Sequence, residues 1–318
     1  MRMIFLPPET PLSRACSAAL ATAPGSWEVV VAADADSARR ELGEADAAFG
    51  TMTPDLLAAS PRLAWLQAPA AGPPAGYYFP ELVAHPAVVT NLRGVYADHV
   101  ATHALALMLH FARNLHRYAR YQVTAEWRPE PTRVRHLPDS TVVIVGAGAI
   151  GQELARLLTP FGCSVVGVDA DHTAPLPGFD EVRPSQDLDL VLPRADFAVL
   201  TVPHTPQTAG LMDARRLALM PPSAVLVNVG RGPTVVLDAA TAALAAGTIA
   251  GLALDVAEVE PLPPEHPLWR QDGAVITPHV GVNGPYLIER RTEVFLDNAR
   301  RFRSGEPLRN LVDKARWY

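Results

Sequence analysis

Thr141-Val142-Val143-Ile144-Val145 runs without a polar break into Gly146-Ala147-Gly148-Ala149-Ile150-Gly151, and an Ala/Leu-rich stretch with helical spacing follows. A strand, a glycine turn and a helix in direct succession open a βαβ unit whose turn can cradle the pyrophosphate of a dinucleotide. Gly146 permits the tight turn, Gly148 lets backbone approach the anion, and Gly151 lets the helix pack closely on the strand. The helix N-terminus then faces the negative charge. The next strand ends at Asp169, 18 residues beyond Gly151, near the spacing of a carboxylate that accepts from the adenosine ribose. Such a carboxylate repels a 2′-phosphate, and no arginine lies between Gly162 and Phe179 to neutralise one, so the expected cofactor is NAD rather than NADP.

The rest of the chain repeats this alternation. In 318 residues, two domains of roughly 100–200 residues are expected. Short β-rich runs at Met3–Leu6, Trp27–Val31, Asp46–Phe49, Leu63–Gln67 and Ala87–Thr90 alternate with Ala-rich helical stretches, which predicts a parallel sheet flanked by helices. A second series runs through 141–145, Ser164–Asp169, Phe197–Val202, Ala224–Val229, Gly251–Asp255 and Val275–Thr277, apolar enough for a sheet buried on both faces. Between the two, Asp98–Tyr121 predicts one long helix, apolar over more than a single stripe and needing cover from the other domain or from a second subunit. Trp127–Pro138 reads as a connector, and Tyr286–Arg303 as a last helix.

Composition removes several classes of function. The charge sum, 27 − 33 = −6, comes with no basic stripe, so nucleic acid is not an expected partner. The single lysine, Lys314, excludes a phosphate loop ending in Gly-Lys-Ser/Thr and argues against Schiff-base chemistry. The N-terminal apolar run is too short for a secretory signal, and Ala239–Ala257 is interrupted by Thr241, Gly247, Thr248 and Asp255, so no membrane span is expected. Cys16 and Cys163 suit a reducing cytoplasm and read as small core residues. His99 and His103, four apart on a helix, lack the acidic partner of a zinc pair; a structural or interface role is expected, and no metal.

Three later segments bring chemistry to the carboxyl ends of strands, where open α/β sheets hold their ligands. They are Asn228-Val229-Gly230-Arg231-Gly232, Leu252-Ala253-Leu254-Asp255-Val256 and Ile276-Thr277-Pro278-His279-Val280. With the turn at 146–151, the loop Val202-Pro203-His204-Thr205-Pro206-Gln207-Thr208, and Gly251 to Pro263 with Pro267-Leu268-Trp269, they give the whole chain a close resemblance to the D-isomer-specific 2-hydroxyacid dehydrogenases.

The resemblance implies a Rossmann cofactor domain, 96–283, inserted into a flavodoxin-like substrate domain made of 1–95 and 284–318, with a cleft that closes over the substrate, no appended regulatory domain, and a homodimer. It implies hydride transfer between NAD(H) and C2 of a small D-2-hydroxy or 2-oxo acid, glyoxylate- or hydroxypyruvate-like. Arg231 would hold the substrate carboxylate and carbonyl oxygen with its planar fork. His279 would exchange a proton with that oxygen, since an imidazole works both ways near neutrality. Glu260 would pair with the other ring nitrogen, with Glu258 as its rival. Ala149, Ile150, Val202, Pro203, Thr208, Val229, Gly230 and Asp255 match positions around the cofactor. Ala71 and Gly72 match the loop that offers N–H groups to the substrate carboxylate. There the chain departs from the family, because Pro73 and Pro74 have no N–H. Arg93 or Tyr96 is expected either to meet substrate or to serve structure, and Thr102 stands where relatives often carry an acid. Two other readings stay open: an NAD-sensing, corepressor-like dimer with little turnover, and oxidation of a small anion such as formate or phosphite.

Overall fold

The computed structural model describes residues 1–25, 27–72, 76–131 and 134–318. By contact it divides into two compact units, Met1–Val95 with Gly284–Tyr318, and Tyr96–Asn283.

In the first unit five strands alternate with four helices: β1 Arg2–Phe5, α1 Pro11–Thr22, β2 Glu28–Val31, α2 Ala35–Leu42, β3 Ala47–Phe49, α3 Pro54–Ala58, β4 Trp65–Gln67, α4 Pro80–Ala84 and β5 Val88–Thr90. The pairings are all parallel in the order β2-β1-β3-β4-β5, the flavodoxin-like winding. Local chemistry starts the helices where the sequence says. Thr10 Oγ1 accepts from the Ser13 N–H (3.1 Å) while Ser13 Oγ accepts from the Thr10 N–H (2.8 Å), a reciprocal cap, and Pro11 needs no N–H at the first helical position.

The second unit holds α5 Ala97–Ala112, α6 Leu115–Val123, β6 Thr141–Val145, α7 Ala149–Leu158, β7 Ser164–Asp169, β8 Glu181–Pro184, α8 Leu188–Val191, β9 Phe197–Leu200, α9 Ala214–Leu217, β10 Val225–Asn228, α10 Leu237–Ala245, β11 Gly251–Leu254 and β12 Ala274–Ile276. Its parallel sheet runs β12-β11-β10-β9-β6-β7-β8. The winding reverses between β6 and β9, so the glycine turn after β6 sits at the topological switch point, where α/β sheets bind ligands. The expected α/β class with two doubly wound parallel sheets is what the chain forms. The final helix, α11 Leu287–Ser304, returns to the first unit. There Phe295 packs edge-on against Phe5 and Phe49 and stacks on Trp65, filling a core those strands leave open.

Three expectations are corrected, and α5 gains packing partners within its own unit. The helix expected over 98–121 breaks at Asn114, whose left-handed backbone (φ 57°) separates α5 from α6. Within its own unit α5 packs on α7 and β10: Phe111 lies so close over Gly251 that a Cβ there would come 2.5 Å from the ring. The strand β8 was not expected, because Glu181-Val182-Arg183-Pro184 lies at a half-exposed edge and carries no continuous apolar run. Cys16 is buried as expected, but Cys163 is only half-buried, just ahead of β7. Among the described residues no helix is long and apolar enough to cross a membrane.

Candidate active site

The turn after β6 has the shape its glycines predict. Gly146 takes φ +107°, and a Cβ on it would stand 2.7 Å from Thr201 Oγ1, which donates to the Gly146 carbonyl at 2.7 Å. A Cβ on Gly151 would run into the Gly146 carbonyl oxygen, so helix α7 rests on the turn through bare backbone. Above Gly148, by contrast, nothing lies within 4 Å of where a Cβ would be. The first turn of α7, with Ala149 and Ile150, carries no acidic side chain, leaving its N–H groups and positive dipole end suited to a diphosphate.

Asp169, at the end of β7, ties this turn to the loop that follows. Its Oδ2 accepts from the Ala147 N–H (2.7 Å), and its Oδ1 accepts from the N–H groups of Asp171 (2.8 Å) and His172 (2.9 Å), with the His172 ring at 3.1 Å. Burial alone would raise the carboxyl's pKa; these amides and the imidazole outweigh it and hold the group below the usual aspartate range. The grip of Asp169 on the glycine turn is a role the spacing argument did not anticipate.

The loops after β9, β10, β11 and β12 lie side by side because their strands do. Beyond β9, Thr208 Oγ1 donates to the Pro203 carbonyl (2.6 Å) and accepts from the Thr205 N–H (2.8 Å), folding Val202 to Thr208 into a tight loop. A Cβ on Gly230 would meet the Val202 carbonyl at 2.6 Å, which joins this loop to Val229-Gly230. Asn228, fully buried, shapes the Arg231 turn: its Oδ1 accepts from the Gly230 N–H and its Nδ2 donates to the Arg231 carbonyl, both at 3.0 Å. Asn228 is a functional residue not expected from the sequence, although an asparagine two residues before Gly-Arg-Gly is the kind of side chain that builds such a turn. Arg231 Nη1 donates to the Gly230 carbonyl at 2.7 Å, setting the direction of the fork. A Cβ on Gly232 would run into the Ala257 carbonyl, so the Arg231 turn is pressed against the loop that carries Glu260.

Glu260 and His279 meet: Oε2 lies 2.8 Å from Nδ1, with about two-fifths of each side chain exposed (39% and 40%). Oε1 accepts from the Ala257 N–H at 3.0 Å, so the carboxylate is fixed from behind. Because an ionised carboxylate only accepts, Nδ1 carries the proton in this pair, and Nε2 is left for chemistry. Glu258 is used elsewhere, accepting from the Leu237 N–H (3.1 Å) at the start of α10. His279 itself takes φ 54°, an uncommon conformation for a side-chain-bearing residue, held by its N–H donating to the Asp255 carbonyl (2.8 Å).

Asp255, 3% exposed, holds the same loop with its side chain. Its Oδ1 accepts from Thr277 Oγ1 (2.6 Å) and the Val280 N–H (2.9 Å), and its Oδ2 from the Gly281 N–H (2.9 Å). Burial works to raise its pKa, but hydrogen bonds from His103, Thr277 and the two amides win and bring it down to about 2. The stability that Asp255 contributes is therefore present above the ordinary aspartate value of about 3.9 and is lost as the pH falls through about 2. Asp255→Asn is expected to melt below the unsubstituted protein at pH 5–7, with the gap closing towards pH 2; a gap constant across that range in melting curves would remove Asp255 from this role.

Of the substrate-side candidates, Ala71, Gly72 and Arg93 lie in the first unit, and Tyr96 and Thr102 in the second. Asn91 Nδ2 donates to the Ala71 carbonyl (2.9 Å), fixing the loop that leads to Gly72. Pro73 and Pro74 lie outside the described residues. Asn91 Oδ1 also accepts from the Arg93 N–H (3.1 Å), and the exposed Arg93 guanidinium donates to the Leu311 carbonyl (3.3 Å). Tyr96 is buried, and Thr102 is exposed with its hydroxyl on the Asp98 carbonyl. Among the described residues no group of three or more His, Cys, Asp or Glu is arranged to hold a metal ion.

Known proteins resemble this chain in sequence and in fold. Residues 105–281 match the family model described as D-isomer specific 2-hydroxyacid dehydrogenase, NAD binding domain. The chain is 33% identical over 239 residues to a glyoxylate reductase of Thermofilum pendens, covering 74% of this chain and 70% of that one. It is 40% identical over 232 residues, 72% of this chain and 75% of the relative, to an uncharacterized protein from the proB 3′ region of Corynebacterium melassecola. Among solved structures, an NADPH-dependent glyoxylate/hydroxypyruvate reductase of Sinorhizobium meliloti, in complex with NADP and sulfate, superposes with a TM-score of 0.85 at 29% identity, covering 100% of this chain and 99% of that one. A D-isomer specific 2-hydroxyacid dehydrogenase of Xanthobacter autotrophicus, in complex with NADPH and MES, gives a TM-score of 0.84 at 29% identity over 99% and 100% of the two chains. With its glycine turn at the switch point of a seven-stranded parallel sheet and its paired glutamate and histidine one and two strands beyond the arginine turn, the chain belongs to the D-isomer specific 2-hydroxyacid dehydrogenase family.

Proposed function

We propose that the protein transfers a hydride between NAD(H) and C2 of a small D-2-hydroxy acid or 2-oxo acid of the glyoxylate or hydroxypyruvate kind. The observation that carries this reading is the His279 ring held at 2.8 Å by Glu260, on the sheet edge that also bears the glycine turn. The substrate class is supported by the activities of the relatives from Thermofilum and Sinorhizobium.

Gly146, Gly148 and Gly151 with the N–H groups of Ala149 and Ile150 would hold the pyrophosphate, and Val202, Pro203, Thr208, Val229, Gly230 and Asp255 would border the rest of the cofactor. When bound, the dinucleotide supplies the hydride that reaches C2. Arg231 orients the acid by gripping its carboxylate and carbonyl oxygen with parallel N–H groups. The family resemblance would have Ala71 and Gly72 offer backbone N–H to the substrate carboxylate, with Arg93 as a further substrate contact. His279 gives its Nε2 proton to the carbonyl oxygen as C2 is reduced, while Glu260 keeps the Nδ1–H bond and steadies the ring's charge beforehand. Oxidation of the hydroxy acid runs the same proton back to Nε2. Association as a homodimer belongs to the same reading, supported by the exposed apolar side chains of Leu115, Val123 and Trp127.

Turnover tests it. With NADH and a panel of 2-oxo acids, oxidation of the cofactor is expected for glyoxylate or hydroxypyruvate. Cofactor binding without reduction of any acid, accompanied by a tightened dimer, would favour a dinucleotide-sensing protein instead. NAD is retained over NADP because Asp169 places a carboxylate at the end of β7. We expect kcat/KM with NADH to exceed that with NADPH by about tenfold or more through like-charge repulsion. Asp169→Asn should narrow the ratio, and a native protein that prefers NADPH, the cofactor seen in the Xanthobacter relative, would reverse the assignment.

A further inference from the structure

We propose that His103 is a positioning residue for His279, acting through Thr277 and Asp255, and that His99 pins the far end of the same loop. The inference rests on the reductase reading, in which His279 carries the proton. His99 and His103 stand one turn apart on α5 and so face the same way. His103 Nε2 lies 2.9 Å from Thr277 Oγ1 and 3.4 Å from Asp255 Oδ1, and His99 Nδ1 lies 3.2 Å from the Val282 carbonyl oxygen. One ring nitrogen of each histidine is thus engaged by an oxygen of the protein itself, and the pair that looks in the sequence like half a metal site is a clamp on residues 277–282.

Proton counting fixes the direction of the chain. The Asp255 carboxylate accepts only, so the hydroxyl proton of Thr277 points to Asp255 Oδ1 at 2.6 Å. With that proton spent, Thr277 Oγ1 can only accept from His103, which therefore carries its proton on Nε2. The result is a one-way relay from His103 to Thr277 to Asp255, and Asp255 in turn receives the amides of Val280 and Gly281, the two residues that follow His279. Space closes the arrangement: a Cβ on Gly281 would come 2.8 Å from Asp255 Oδ2 and 3.3 Å from His103 Cδ2, so the loop lies flat against both. His279, in its left-handed conformation, is the one residue of this loop whose side chain reaches Glu260, and the loop is held on either side of it.

Loosening such a loop displaces a reacting group by a fraction of an ångström to an ångström, and misplacement of that order costs up to about 100-fold in rate. His103→Leu keeps bulk but removes the donor; His103→Gln keeps an N–H at about the reach of Nε2. We expect His103→Leu to lower kcat for 2-oxo acid reduction by about 10- to 100-fold while the Kd for NADH, read by fluorescence, stays within about twofold. His103→Gln should recover most of the loss. If His103→Leu does not fold, Thr277→Val breaks the relay at its next link and is read the same way. Native kcat in the leucine variant, or equal losses in the leucine and glutamine variants, overturns the proposal. If the native protein reduces no 2-oxo acid, it is the functional reading that fails, and the clamp is then judged by hydrogen exchange. The Val280 and Gly281 amides should exchange at least about tenfold faster in His103→Leu than in the native or glutamine forms, and equal exchange rejects it.

Discussion

His279→Asn is expected to lower kcat for 2-oxo acid reduction by about 10²- to 10⁴-fold, the range that a positioned general acid supplies, with NADH affinity unchanged. Asparagine suits the test on two grounds. It tolerates the left-handed backbone that His279 adopts at φ 54°, so the loop is not forced to move. Its amide can also still donate towards Glu260, now 2.8 Å from Nδ1, so the carboxylate keeps a partner and only the transferable proton is lost. Glu260→Gln should cost less, because the proton donor stays and only the group that fixes its ring and charge is weakened. Steady-state kinetics and a fluorescence titration with NADH decide the matter. An asparagine variant within tenfold of native kcat would end the assignment of His279 as the acid.

Arg231→Lys is the second large effect. A charged residue survives, but the fork does not, and parallel N–H groups cannot be replaced by one flexible ammonium. Truncating a hydrogen-bonded charge pair costs about 2–5 kcal/mol, so kcat/KM for the acid should fall by about 30-fold or more while NADH binding holds. The local structure sharpens the expectation. Nη1 is aimed by its bond to the Gly230 carbonyl, and the turn beneath is shaped by Asn228 and by Thr234 Oγ1, which donates to the Arg231 carbonyl at 2.6 Å. Lysine has no planar group to take that direction. Equal kcat/KM in the native and lysine forms would show that the substrate is not held at this turn.

How far the sequence carries depends on whether an element is held by its own pattern or by distant partners. The strands at 141–145 and 164–169 form over the residues expected, the first an unbroken β-branched run and the second a valine-rich run bounded by Gly162 and Asp169. β8 escaped because an edge strand needs little apolar character, and Arg183 and Glu181 mask it. The break at Asn114 escaped because the apolar spacing continues across it; only the asparagine, with its tolerance of positive φ, hints at the change. In the site, the glycine turn, Arg231 and His279 are legible as chemistry at strand ends, and Glu260 through the family resemblance. The clamp is not: His103 lies 174 residues from Thr277, and their meeting depends on how α5 rotates as it packs on β10, which no local pattern encodes.

The place of α11 bears on how the chain matures. Phe295 and Ala299 complete the aromatic core built on Phe5, Phe49 and Trp65, yet they leave the ribosome after the whole of 96–283 has been made. The nascent N-terminal strands must wait, with that apolar face uncovered, while the inserted unit folds on its own contacts first. Premature termination before Leu287 would therefore release a chain with one finished unit and one open core, a natural client for chaperones.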